Sequence, residues 1–232
     1  MEPWSIGLVA VIVIGLGVII FGALYDRARN RRRAAEMLAP PPRVIPQHDA
    51  DSPAYVSELQ ARRPSPGPSR DLSPSERTTL DTQIAAESTV TINAGYASRD
   101  FVTDGPTARA ILDDPLVAVC AGPVHSVREL LPVLEAAMAG GRSLVVVAES
   151  FGPEVRTTLE VNAIRRTIAV VAVAASDADL TRIADVSHAI VLDSTDRQSG
   201  YLAPAQLGSV SRWVSTAKSS HLIVSARISP SP

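Results

Sequence analysis

The chain has 232 residues, 46% hydrophobic and 20% charged, with a net charge of −2 from 22 basic and 24 acidic side chains. That length holds one ordinary domain plus accessories and leaves little room for two. The charge balance excludes the strong positive excess of a sequence-independent nucleic-acid binder, and 4% aromatics leave no stacking platform for single strands.

Chemistry is bounded as tightly. The lone cysteine, Cys120, excludes an intrachain disulfide and a thiolate zinc site. Lys218 is the one lysine, so the basic residues are almost all arginine, a bias that points to a GC-rich bacterial genome.

Residues 6–24 run without a charge. At about 1.5 Å per residue they nearly match a hydrocarbon core of about 30 Å, which predicts a membrane helix. Trp4 and Tyr25 bracket the run at interfacial positions. A cleaved signal peptide would want positive charge before the run, and only Glu2 precedes it. Arg27, Arg29, Arg31, Arg32 and Arg33 follow it. The positive-inside rule then puts the N-terminus outside and the rest in the cytoplasm, as a single-pass protein of a bacterial inner membrane. Residues 1–38 are thus read as a transmembrane helix with a basic juxtamembrane segment.

Residues 39–88 hold nine of the eighteen prolines and few apolar side chains. Such a stretch cannot bury enough surface to offset its ordering entropy, so it reads as a disordered, Pro-rich tether.

Residues 89–232 read as the folded domain, with α/β patterning. Apolar strands are predicted at 89–92, 116–120, 144–148, 168–173 and 189–192, and helices at 126–139 and 154–166. One or two further helical turns fall at 178–184. Buried strands alternating with helices predict a parallel layer with right-handed crossovers. Two last short strands, at 213–214 and 222–224, read as antiparallel.

The helix at 126–139 opens on a capping box, Ser126 with Glu129, and stops at Gly140-Gly141. Its apolar arc is about 160° wide, against a little over 100° for a helix packed on one side. The excess runs along Leu131, Leu134 and Met138. It is either a wedge between two layers or an exposed apolar edge for binding.

Other chemistry reads weakly. Ala148-Glu149-Ser150-Phe151-Gly152 loosely resembles a nucleophile elbow but lacks its first glycine. His188 and His221, with Asp185 or Asp193 behind them, could serve as bases on paper. The four histidines lack metal spacing, so no metal or other cofactor is expected.

Several segments together resemble the apical domain of bacterial group I chaperonins, the GroEL type. Residues 127–136 (VRELLPVLEA) resemble that family's REMLPVLEA helix, residues 144–149 its LLIIAED strand, and residues 154–162 its EALATLVVN helix. Residues 168–173 follow in the same order, and residues 95–101 (GYASRDF) are similar to GYLSPYF upstream. The resemblance implies a layered, chaperonin apical-like fold that binds non-native polypeptide between two helices. It implies Leu131 and Leu134 on the first helix and Val161 on the second, with Tyr96 and Phe101 beneath; the apolar arc adds Met138 to the same expected polypeptide-binding site. Arg156 and Glu160 stand where the family has apolar groove residues, and at i, i+4 they are placed to pair.

The family's ATP-binding equatorial segments have no counterpart here, and no phosphate-cradling Gly-rich motif occurs. The expectation is therefore a non-enzymatic, membrane-anchored module without nucleotide, docking a protein or peptide partner as assembly factor or holdase. The alternative is a fixed accessory or scaffold subunit of a membrane complex.

Overall fold

The chain divides into two units, Met1–Arg62 and Arg63–Pro232. The computed structural model describes residues 15, 17, 18, 20–31, 58–65 and 71–224.

In the first unit, residues 20–31 form a helix, α1, on which the Phe21 and Tyr25 rings stack with centroids 6.4 Å apart. A short helix, α2, spans Glu58–Ala61. Most of the apolar run 6–24 lies outside the described residues. Among the described residues no helix is long and apolar enough to cross a membrane.

The second unit begins earlier than its composition suggests. Residues 39–57 and 66–70 of the expected tether lie outside the described residues, but Pro74–Ile84 is a helix, α3. Its start follows from local chemistry. Ser73 accepts the Glu76 amide, Glu76 accepts the Ser73 amide in return, and Pro74 occupies the first turn, where its missing donor costs nothing. Leu80 is fully buried. This corrects the reading of residues 74–84 as disordered tether: one buried leucine and a set of ion pairs supply what composition lacked.

Two sheets follow. The first is antiparallel, in the order β1–β9–β8–β2: Thr89–Ile92, Ser220–Ile223, Arg212–Ser215 and Ala110–Asp113. The second is parallel, in the order β5–β4–β3–β6: Val170–Ala174, Leu144–Ala148, Leu116–Cys120 and Val191–Leu192. A two-residue strand, β7 (Gly208–Ser209), pairs antiparallel with the start of β3. β3 and β4 are apolar at every position because layers cover both faces, and β4 is buried throughout.

The helices α4 (Leu131–Ala139, entered through a 3₁₀ turn at Val127–Leu130) and α5 (Pro153–Arg165) connect β3 to β4 and β4 to β5. Two right-handed crossovers stepping in the same direction put both helices on one face of the sheet. α6 (Asp177–Ser187) runs back from β5 to β6, past β3, and so lies on the opposite face. It is longer than the one or two turns expected, because Ser176 caps it with a bond from the Asp179 amide. A last short helix, α7, spans Ser194–Gln198.

Both sheets contribute to one core. Trp213, the largest buried side chain, donates to Ser215 at 2.7 Å; the Ser215 and Ser220 hydroxyls are 2.7 Å apart, and Ser220 donates to the Ala94 carbonyl at 2.6 Å. Buried hydroxyls are thereby satisfied without water.

At Gly95 the backbone closes on itself: a Cβ there would stand 2.4 Å from the Ala217 carbonyl carbon and oxygen. Gly95→Ala should therefore lower stability by about 1–3 kcal/mol through overpacking. Denaturant titration followed by Trp213 fluorescence measures it, and an unchanged midpoint would show that the loop yields freely.

Candidate functional site

The N-terminal ends of α4 and α5 are tied side by side. The Val124 amide donates to the Ser150 carbonyl at 2.9 Å and the Gly152 amide to the Val124 carbonyl at 2.8 Å. A Cβ at Gly152 would meet the His125 carbonyl at 2.9 Å, so glycine permits the approach. The 3₁₀ turn that leads into α4 lies against α5.

That turn is fixed from beneath. Ser126 accepts the Arg128 amide, while Glu129 Oε1 accepts the amides of Ser126 at 2.9 Å and His125 at 3.0 Å. Glu129 Oε2 meets Arg197 Nε of α7 at 2.9 Å. The same guanidinium donates to the carbonyls of Ala121 (2.8 Å), Leu192 (2.9 Å) and Pro123 (3.1 Å). Both side chains are buried. Burial alone would raise the Glu129 carboxyl; the Arg197 bond and the two amides hold it below its ordinary value. Sequence reading found the capping box but not Arg197, which is 68 residues away. An arginine inside a short helix carries no signal of its own burial.

Above this base the expected site residues separate. Leu131 is 46% exposed and Met138 58%, both on α4. Leu134 is only 7% exposed and joins Leu130, Val133 and Ala137 in the core. The excess apolar arc is thus an open edge at two positions and a packed one at the third. On α5, Val161 is half-buried, and Arg156 and Glu160 form the expected pair, with Nε to Oε1 at 3.6 Å. Arg156 is exposed and Glu160 is buried. At about 100° per residue Val161 lies roughly 140° round the helix from Arg156, so the two do not share a stripe.

Tyr96 and Phe101 belong to the edge of β5. Tyr96 bridges to Val173, and the Ala97 amide donates to the Ala172 carbonyl at 2.8 Å. The 3₁₀ turn Arg99–Phe101 packs on α5, and Phe101, 1% exposed, is a core residue. Tyr96 is half-buried.

The residues weighed for other chemistry are dispersed. His221 bonds Thr91 at 3.0 Å, burial lowers its pKa, and His188 ends α6 in a left-handed conformation. Neither bonds Ser150 among the described residues. Burial pushes the Cys120 thiol up to about 12, which leaves it unreactive. Among the described residues no group of His, Cys, Asp or Glu could hold a metal ion.

Comparison with known proteins places this framework. No protein-family model matches the chain. Over 98 residues it is 43% identical to chaperonin GroEL 1 of Mycobacterium leprae, a stretch covering 42% of this chain and 18% of that protein. Over 95 residues it is 39% identical to chaperonin GroEL of Mycoplasma pneumoniae, covering 41% of this chain and 18% of that protein. The chain therefore spans under a fifth of the length of these relatives. Among solved structures, the chaperonin gp146 of bacteriophage EL matches with a TM-score of 0.48 at 16% identity, covering 60% of this chain and 28% of that one. A stretch of about 98 residues, under half of this chain, is thus similar in sequence to part of the GroEL chaperonins.

Proposed function

We propose that this domain docks a polypeptide partner along the open edge of α4, and that the N-terminal apolar segment holds it at a bacterial inner membrane, facing the cytoplasm. The observation that carries the reading is the exposure of Leu131 and Met138 on α4, in a chain of which 98 residues are 43% identical to a chaperonin. Exposed apolar side chains on a rigid helix are the anchors that a partner desolvates. On α5 the exposed Arg156, paired with the buried Glu160, adds a charged position to the proposed surface, half-buried Val161 lies on another side of that helix, and Tyr96 and Phe101 brace the helix from the edge of β5. The module works as an assembly factor or holdase without nucleotide chemistry.

The test uses the full chain in detergent micelles and a fluorescent, extended, leucine-rich peptide. Replacing Leu131 and Met138 together by Ser should weaken binding at least about tenfold, equivalent to 1.4 kcal/mol. The melting temperature should stay nearly unchanged, because surface substitutions cost less than about 0.5 kcal/mol each. Unchanged affinity would sink the reading. In the same assay about 1 mM ATP should leave the melting temperature alone, since a ligand stabilises only a state that it binds. For topology, a reporter fused after Pro232 should resist protease added to intact cells, as expected from the five arginines after residue 24, and its cleavage would overturn the cytoplasmic orientation.

A second reading, a fixed scaffold subunit, is favoured by the Arg156–Glu160 pair. A surface that is part ion pair suits one matched partner better than an assortment of clients. Arg156→Glu should then disturb one co-purifying protein selectively.

A further inference from the structure

The segment at residues 71–84 is attached to the folded unit mainly by charge. Asp104, at the head of the turn Gly105–Thr107, is fully buried and accepts from four groups. They are the Leu72 amide (3.0 Å), Arg77 Nε (3.2 Å to Oδ2), Arg77 Nη2 (2.9 Å to Oδ1) and the Thr107 hydroxyl. These donors, Arg77 first, hold its pKa at about 2. Asp71 accepts the Gly105 amide at 2.8 Å. Farther along α3, Asp81 pairs with Arg109 at 2.6 Å, and Gln83 accepts from Arg212 at 2.9 Å, an arginine that also meets Asp113 of β2.

Against these contacts stands little apolar surface. Leu80 is the one fully buried side chain of α3, with Ile84 half-buried. The helix has eleven residues and three threonines, too short and too poor a helix former to persist undocked. The rest of the unit is different in kind, with two sheets sharing one large apolar core. An element held by few apolar contacts opens at lower free energy than the core it rests on.

We propose that α3 is a detachable latch, which undocks and unfolds while the two sheets stay intact and so gives the segment preceding β1 two working lengths. Closed, the chain is clamped from Asp71 onward. Open, residues 72–88 are freed from the folded unit and add up to roughly 55 Å of reach at about 3.3 Å per residue. The latch does not depend on what the α4 edge binds, nor on whether the N-terminal segment enters a membrane.

Hydrogen exchange read by mass spectrometry on the full chain in detergent micelles tests it. The amides of residues 75–84 should exchange at least tenfold faster than those of β4. Arg77→Gln strips the buried Asp104 of its counter-charge and should speed residues 75–84 by a further tenfold or more, leaving β4 unchanged. Gln83→Ala, farther from the buried carboxylate, should act in the same direction and less. Raising NaCl from 0.05 to 1 M should also act selectively on α3, through the exposed Asp81–Arg109 pair. Exchange of α3 and β4 at one common rate, moving together in Arg77→Gln, would show α3 to be an integral part of the core and overturn the proposal. So would an Arg77→Gln chain with α3 protection unaltered.

Discussion

Arg197→Met should cost the folded unit about 3–5 kcal/mol, the usual result of removing one partner from a buried ion pair. The reason is specific to this site. Arg197 answers one carboxylate and three backbone carbonyls at once, at Glu129, Ala121, Leu192 and Pro123. Without it Glu129 keeps its charge in a buried place, with only the His125 and Ser126 amides to hold it. Urea titration of the full chain measures the loss. Adding Glu129→Met should recover part of it, because two apolar side chains replace a pair whose desolvation is expensive. The carbonyls that Arg197 served would still be orphaned, so recovery stays incomplete. A single variant within about 1 kcal/mol of the parent would mean that water replaces the guanidinium.

Leu134→Ala should cost about 2–5 kcal/mol, as core truncations do, whereas Leu131→Ala three residues earlier should cost less than about 0.5 kcal/mol. Leu134 packs with Val133 and Ala137, and Leu131 faces outward with Met138. Binding reports the reverse order. Leu131→Ala should weaken capture of the leucine-rich peptide at unchanged stability, and Leu134→Ala should unfold the domain before its binding can be read separately. If both variants melted alike, the open edge of α4 would not exist as described.

The parallel layer was legible in the sequence because its strands are uninterrupted apolar runs, and the start of α4 because Ser126 and Glu129 stand at capping-box spacing. The closing strands were legible from Trp213 and Leu222. β2 was missed: Ala110–Asp113 is only four residues, and its pairing with β8, far along the chain, defines it rather than any local periodicity. β7 has two residues and β6, expected over 189–192, only two, because a pairing partner rather than propensity defines such strands. Helix α3 was hidden behind prolines, although Ser73-Pro74-Ser75-Glu76 carries the same box as Ser126. At the candidate site, periodicity placed Leu131, Leu134 and Met138 on one side of a helix. It could not tell how far the core extends up that side, since enclosure depends on neighbours distant in sequence. The i, i+4 pairing of Arg156 with Glu160 was readable for the opposite reason: one helix turn decides it.

The first and last strands of the domain are hydrogen-bonded neighbours, with Thr89 opposite Ile223 and Ile92 opposite Ser220. Directly paired antiparallel residues lie about 5 Å apart, so the two-sheet core that follows α3 begins and ends at practically one point. A unit built this way is portable. A host protein can accept it in a single surface loop with little distortion, and it can equally hang from one end of a chain, because neither arrangement asks the fold to stretch. The same closure predicts that a circular permutant, joined by a short Gly/Ser linker across β1 and β9 and opened at the exposed Gly140-Gly141 turn, would retain both sheets.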